Sequence, residues 1–338
     1  MKLSPRHRAL KLLFSLFIIL YSLFFIPIGV NADSNSFSLS ISPSITEIVA
    51  TPPASVESRI SIENKSGKEE DLNISFMPFK MSKASNGNIE YINGQDSNFE
   101  QIRSKISIYD GNNAITSVKL NPYEEKDLKL KINIDDSAGK NDYYFSVVFA
   151  ASDNTLKPNS SQTSGGIATN IILTTNEAEK PSGHIADFST PFFENRGPVP
   201  FTLLLVNDGD HYMIPRGRIS LKDMFGRDLE RIDIKPEYIL GHGQRYLTQY
   251  IDEKNNSTIK TINQYKNNSG HPILIWPQTF LFGIYNATAV IKLSDSGPTF
   301  TTTTSFISMP IYLILPITIF SAILLGIYIK VKQKSEKK

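Results

Sequence analysis

Histidine and aspartate carry what chemistry this chain could offer, because its 338 residues include no cysteine. That absence excludes disulfide frameworks, thiolate-bound zinc, iron–sulfur clusters and thiol nucleophiles. The five histidines are His7, His184, His211, His242 and His271. None has a second histidine four residues away, the helical spacing that brings two imidazoles to one metal. No His-Glu-x-x-His, nucleophile elbow, phosphate loop or dinucleotide fingerprint occurs. Asp208, Asp210 and His211 crowd one turn, and Asp135 and Asp136 another. Such carboxylates could hold calcium, or simply supply the side-chain hydrogen bonds that turns use. The sequence therefore predicts a protein that is not an enzyme, with no catalytic, cofactor-binding or metal-ligating residues and no cofactor. Calcium at the Asp208/Asp210 loop stays open.

The formal net charge of +2 is a sum of unlike parts. Lys2, Arg6, Arg8 and Lys11 stand without an acid in the first eleven residues, while Lys330, Lys332, Lys334, Lys337 and Lys338 face only Glu336 at the other end. Each end stands at +4 and the body between them at −6. An acidic body argues against nucleic acid as a partner, since phosphate contacts need a basic face.

Each basic end abuts an apolar run. Leu12 to Val30 follows the first, and Val30-Asn31-Ala32 offers the small residues that precede a signal-peptidase cut, so residues 1–32 read as a signal peptide, with a retained first helix as the alternative. Ile311 to Ile329 is uncharged, and as a helix it rises about 28 Å, enough to span a hydrocarbon core. The lysines of 330–338 then form a cytoplasmic tail by the positive-inside bias, with the ectodomain outside the cell.

Between these segments the sequence shows short period-2 runs broken by Asn, Gly, Pro, Asp and Ser, an all-β signature. Leu128, Leu130, Ile132 and Ile134 alternate with Lys129, Lys131 and Asn133 as a half-buried strand. Tyr143 to Ala150 is apolar on both faces, as a central strand is. Residues 33–178 read as one β-sandwich, with the 80s and 90s as an insertion and 152–166 as a long loop. Residues 183–306 read as a second sandwich, beginning after Pro181-Ser182-Gly183. Its predicted strands are 201–206, 218–221, 238–240, 245–250, 273–276, 285–293 and 300–306, with 252–271 as an excursion. The predicted fold is an all-β ectodomain of two tandem immunoglobulin-like β-sandwiches plus one C-terminal transmembrane helix.

The two halves share a grammar. An early strand ends in asparagine, at Asn64 and Asn207, and a late strand opens on Asp142-Tyr143-Tyr144 or Gly283-Ile284-Tyr285. These tyrosines are predicted to act as corner residues whose hydroxyls bond to backbone. Sequons at Asn64, Asn73, Asn159, Asn255, Asn256, Asn267 and Asn286 carry little weight in a cysteine-free, asparagine-rich ectodomain. Tyr91, Tyr109 and Trp276 are aromatics that could stack on sugar, although Ile275 and Pro277 beside Trp276 favour a core position.

Leu39-Ser40-Ile41-Ser42-Pro43 near the start, Phe201-Thr202-Leu203-Leu204-Leu205-Val206-Asn207-Asp208-Gly209, Ile214-Pro215-Arg216-Gly217-Arg218-Ile219 and Phe225-Gly226 stand in an order of elements that resembles bacterial surface proteins of the WxL-interacting type. The first domain also looks like the N-terminal sandwich of periplasmic pilus chaperones. The resemblance implies wall binding by the first domain and protein binding by the second. The expected function is a non-enzymatic, membrane-anchored cell-surface binding or scaffold protein whose partner is a surface protein or cell-wall glycan. The alternative is an assembly chaperone or secretion accessory for exported surface proteins.

Overall fold

The computed structural model describes residues 38–94, 96–136, 138, 141–152, 165–175, 180–251, 270–295 and 297–335. The predicted signal peptide and most of the 152–166 and 252–271 loops lie outside the described residues. The chain forms two β-sandwiches followed by one long apolar helix.

The first sandwich has one sheet in the order Leu39–Ser42 (β1), Ala54–Asn64 (β3), Glu125–Ile134 (β9), Ile106–Asp110 (β6) and Asn113–Ile115 (β7). The other runs Ile45–Ala50 (β2), Gly166–Thr175 (β11), Asp142–Ala151 (β10), Glu70–Met81 (β4) and Ile89–Tyr91 (β5), with Ser117–Leu120 (β8) also on β4. The alternation that predicts β9 puts Leu128, Leu130, Ile132 and Ile134 inside, against Phe145, Val147 and Phe149 of β10. Each buried phenylalanine contributes on the order of 2–3 kcal/mol by leaving water.

The first strand is split. β1 pairs antiparallel with β3, the chain turns at Pro43, and β2 pairs parallel with β11 from Ile45↔Asn170 to Ala50↔Thr175. β2 thereby covers the last six residues of that edge.

The second sandwich repeats the plan. Gly183–Ser189 (β12) pairs with Val199–Asn207 (β14), which also carries Gln244–Tyr246 (β17) and Leu274–Trp276 (β18). The facing sheet runs Phe193–Glu194 (β13), Thr299–Ser308 (β20), Gly283–Lys292 (β19), Arg216–Asp223 (β15) and Asp228–Asp233 (β16). Phe201, Trp276, Tyr285 and Phe306 pack edge-to-face and stacked in its core. Trp276 is buried there, as its neighbours implied.

Several elements depart from the sequence reading, among them the unpredicted β13 and the predicted strand 245–250, which is a strand only over Gln244–Tyr246. The 80s and 90s hold a helix, Ser97–Arg103 (α1), whose cap Asp96 accepts from the backbone N–H of Asn98 and Phe99. Phe99 and Ile102, three apart, bury its inner face. The predicted strand 238–240 makes an isolated bridge, Met213↔Ile239, because the chain is turning there toward the first domain. β16 was not predicted, since Asp-Leu-Glu-Arg-Ile-Asp buries Ile232 alone and shows no alternation. The final helix, Ile311–Ser335 (α2), contains Ile311–Lys330, which is long and apolar enough to cross a membrane and is not buried against protein.

Candidate functional site

Two places in this architecture have the geometry to act: the junction between the sandwiches and the margins of the sheets. The junction is built on Asp142, the first residue of β10, whose side chain is wholly buried. Its carboxylate accepts from Thr174 Oγ1 at 2.7 Å, Tyr144 Oη at 2.8 Å and the Tyr212 backbone N–H at 2.7 Å. The fourth partner is His211 Nδ1, 2.8 Å away, and facing a carboxylate that nitrogen carries the proton. Two donors come from each domain, so one buried carboxylate ties both sandwiches together.

Around it, Phe79, Ile172 and Leu240 are buried with Met81, Tyr144, Tyr212 and Tyr238 in a small apolar cluster of their own. Glu47 of β2 accepts from both Tyr212 and Tyr238 hydroxyls. Burial, then the nearby carboxylates, push the phenols of Tyr144 and Tyr212 well above the ordinary tyrosine range, and burial together with Glu47 pushes Tyr238 up to about 12. The tip of the 80s insertion closes the far side: Gln244 donates to Ser85 Oγ and the Tyr246 N–H to Ser85 O, at 2.7 and 2.8 Å. Gly87 there, at φ +84°, lies so close that a Cβ would sit 2.4 Å from Arg245 Cζ. The insertion therefore works as a bracket between domains. A polar cleft of about 280 Å³ remains beside the junction, lined among others by Asp96, Asp142, Tyr144, Asp210 and His242.

The loop that sequence singled out lies at this junction. Asp208 pairs with His184 and Asp210 with His242, each at 2.7 Å, and His211 turns inward to Asp142. Each carboxylate there is engaged by a histidine, and among the described residues no group of three His, Asp or Glu side chains could hold a metal ion. Asp135 pairs with Lys105. His271 stacks on the Tyr246 ring.

The repeated asparagines do the same work in both domains. Asn64 Nδ2 donates to Lys68 O and Asn121 O while its Oδ1 accepts from the Ser66 N–H and hydroxyl. Asn207 Nδ2 donates to His211 O, Ile239 O and Leu240 O, and its Oδ1 accepts from the Gly209 N–H. Both are buried, so the Asn64 sequon offers no room for a glycan.

The corner tyrosines divide. Tyr285 Oη accepts from the Phe282 N–H and donates to Phe282 O, as expected of a corner. Tyr143 does not: its hydroxyl is buried without a hydrogen-bond partner, and the neighbouring Tyr144 hydroxyl donates to Asp142 of its own strand and accepts from the Gly241 N–H across the junction. Tyr109 borders a surface depression of about 580 Å³ with Glu57, Arg59, Asp127 and Lys129, where the acids are held by Arg59 and Lys129.

At the sheet margins, β16 presents Asp228, Glu230, Arg231 and Asp233 to solvent, and such charge discourages strand addition. β20 differs. β13 covers it at Ile307 and Ser308, and Thr299 to Phe306 have no strand on that side among the described residues. The segment reads Thr-Phe-Thr-Thr-Thr-Thr-Ser-Phe, without charge, proline or glycine. The Ile307 N–H points outward to Phe192 O. By the two-residue repeat of the ladder, the N–H and C=O of Thr301, Thr303 and Ser305 point outward as well.

No protein-family model matches the chain, and no curated protein matches it. It is similar in shape to the class 5 fimbriae chaperone CfaA, with a TM-score of 0.37 and 11% identity over 79% of this chain and 99% of that one. The E. coli chaperone DraB gives 0.32 and 11% over 79% and 98%, and the Salmonella enterica SafA pilin in complex with the SafB chaperone gives 0.33 and 10% over 80% and 98%. Resemblance to WxL-interacting surface proteins finds no support in these comparisons.

Proposed function

We propose that the protein is a non-enzymatic holder of extended polypeptide, anchored in a membrane by α2, that takes a segment of an exported or surface protein as an added strand on β20. The reading is closer to the assembly-chaperone expectation than to wall-polymer binding. Several solved structures of similar shape are pilus chaperones, but the observation that carries the reading is the open, uncharged edge from Thr299 to Phe306. Strand addition draws its affinity from main-chain hydrogen bonds, and an uncharged β-branched edge is the surface on which such bonds form most freely.

The first sandwich supports the reading by its own covered edge. β2, Ile-Thr-Glu-Ile-Val-Ala, lies parallel on β11 in the place that is vacant along β20. An extended segment of similar apolar, β-branched character fits the second edge, with Phe188 and Phe300, both half-buried, flanking the sandwich there.

A photoreactive side chain at position 303 in the full-length protein tests this. The expected result is a crosslink to an extended segment of an exported protein, lost when Thr301→Pro is added beside the probe. That change removes an outward N–H and leaves the β19 ladder intact. Absence of an adduct, or an adduct indifferent to proline, would sink the reading. Persistence of the complex on the finished cell surface would point to a scaffold, and its disappearance to a chaperone.

A further inference from the structure

The end of the second sandwich that meets α2 carries large apolar side chains in the open. Phe225 is 74% exposed, Phe192 72%, Phe282 58% and Phe280 54%, with Phe193, Met224, Ile284 and Met309 also exposed. These residues are scattered in sequence, and the fold collects them. Phe193 pairs with Ile307 and Ile284 pairs with the same residue from the other side. Asp223, just before Met224 and Phe225, lies opposite Tyr285, and Met224 reaches Gly283. The Gly197 N–H donates to Thr279 O, which brings the 279–282 loop beside the Phe192-Phe193 segment. The helix begins on this same surface: the Met309 N–H donates to Glu194 O and the Ile311 N–H to Asn195 Oδ1.

A soluble surface rarely tolerates so large a contiguous apolar patch. Elsewhere among the described residues the exposed large apolar side chains outside α2 are Val49, Tyr91, Tyr123, Leu229, Tyr250 and Ile251. Continuity with α2 identifies what covers the patch. If Ile311–Lys330 spans a bilayer, its first residue lies at the lipid–water boundary and the phenylalanines stand at headgroup depth, where aromatic residues concentrate. Charges there are compatible with that position. Arg227 is paired with Asp223 and lies over the Phe225 ring, and burial pushes the Glu194 carboxyl above its ordinary range, toward the neutral form.

We infer that Phe192, Met224, Phe225, Phe280 and Phe282 form a collar that inserts into the outer leaflet around the start of α2, seating the second sandwich on the lipid surface. The first sandwich then projects away, because the Asp142 junction lies at the opposite end of β14 and β19. The collar converts a single-helix tether into a fixed posture, which sets the height and direction of the β20 edge. It rests on the membrane-span reading and not on strand addition.

The absence of native cysteine allows one labelled site at a time. Full-length protein in vesicles of phosphatidylcholine and phosphatidylglycerol carries an environment-sensitive fluorophore at Phe225→Cys or Phe280→Cys, with spin-labelled lipid as quencher. Ile323→Cys within α2 and Tyr123→Cys on the first sandwich are the references. The expected outcome is loss of most emission at 225, 280 and 323 and none at 123. Quenching at 323 with 225 and 280 behaving like 123 overturns the collar and leaves the span standing. Quenching nowhere overturns both. Quenching at 225 and 280 that is abolished by Phe192→Ser with Phe282→Ser, circular dichroism being unchanged, supports the collar as a cooperative patch.

Discussion

The two sandwiches are built on one plan and differ at one margin. Both split their first strand between sheets, staple the end of the next with a buried asparagine and close on a parallel pair with the last strand. In the first domain that pair runs for six residues, and in the second for two. The difference follows from what comes after the break: Pro43 is followed at once by the β-branched run of β2, whereas Phe193-Glu194 runs into Asn195-Arg196-Gly197-Pro198, which cannot extend. A short second half leaves β20 open, so the same plan yields one edge covered for six residues and one covered for two, which is the edge we propose takes a strand.

The two sandwiches are tied most deeply by the buried Asp142 carboxylate, with the Glu47–tyrosine bonds and the Ser85 bracket around it. Asp142→Ala removes the acceptor of four donors from a fully buried site and leaves His211 without its partner. The cost is about 3–5 kcal/mol, the range for breaking a buried pair. Calorimetry should show the cooperative transition splitting in two, with scattering reporting freer domains. A single unsplit transition would mean that the Phe79–Leu240 cluster ties them instead.

Next in size are the staples. Asn64→Ala and Asn207→Ala each strand several buried carbonyls, at a cost of about 3 kcal/mol by denaturant unfolding. If the plan is common to both domains the two values agree. A larger loss for Asn207 would locate the excess in the junction, because its amide also holds Leu240 O.

Smaller still is the contrast between tyrosines. Tyr285→Phe loses two backbone bonds and should cost about 1 kcal/mol, while Tyr143→Phe removes a buried hydroxyl that has no partner and should be neutral or stabilising. Equal losses would show that Tyr143 is a corner after all.

Strand period and the paired asparagines were legible because they are local: alternation and turn chemistry act over a few residues. The junction was not. Asp142 and His211 are 69 residues apart, and Asp142-Tyr143-Tyr144 carries the same local signature whether its hydroxyls serve a corner or a neighbouring domain. Asp208, Asp210 and His211 were visible as a cluster, but their histidine partners come from β12 and the 241–243 turn, which no spacing reveals. α1 was missed although Asp96 and the Phe99/Ile102 pair announce it, because seven residues leave too short a period to stand out. The collar is the extreme case, with phenylalanines from three separate segments that only the sheet register brings to one end.

Alkaline pH sharpens the comparison with the smallest effect, since Tyr212 and Tyr238 are partly open to solvent. A tyrosine is neutral when protonated, and the folded junction holds the protons of Tyr144, Tyr212 and Tyr238 above the ordinary value of about 10. Between that value and the folded ones the unfolded chain binds fewer protons, so stability falls as pH rises. The contribution is fully present below pH about 10 and is lost as pH climbs through about 12, where Tyr238 ionises beside Glu47. Phenolate then faces carboxylate across the domain boundary, and repulsion acts on the junction while the sandwich cores, which hold no such pair, keep their packing. Melting temperature against pH, with phenolate absorbance followed in parallel, should show the single cooperative transition falling and then splitting as the junction loosens ahead of the cores. Tyr212→Phe with Tyr238→Phe should flatten that decline. An unchanged slope in the double variant would return the pH sensitivity to the cores and leave the junction with no titrating role.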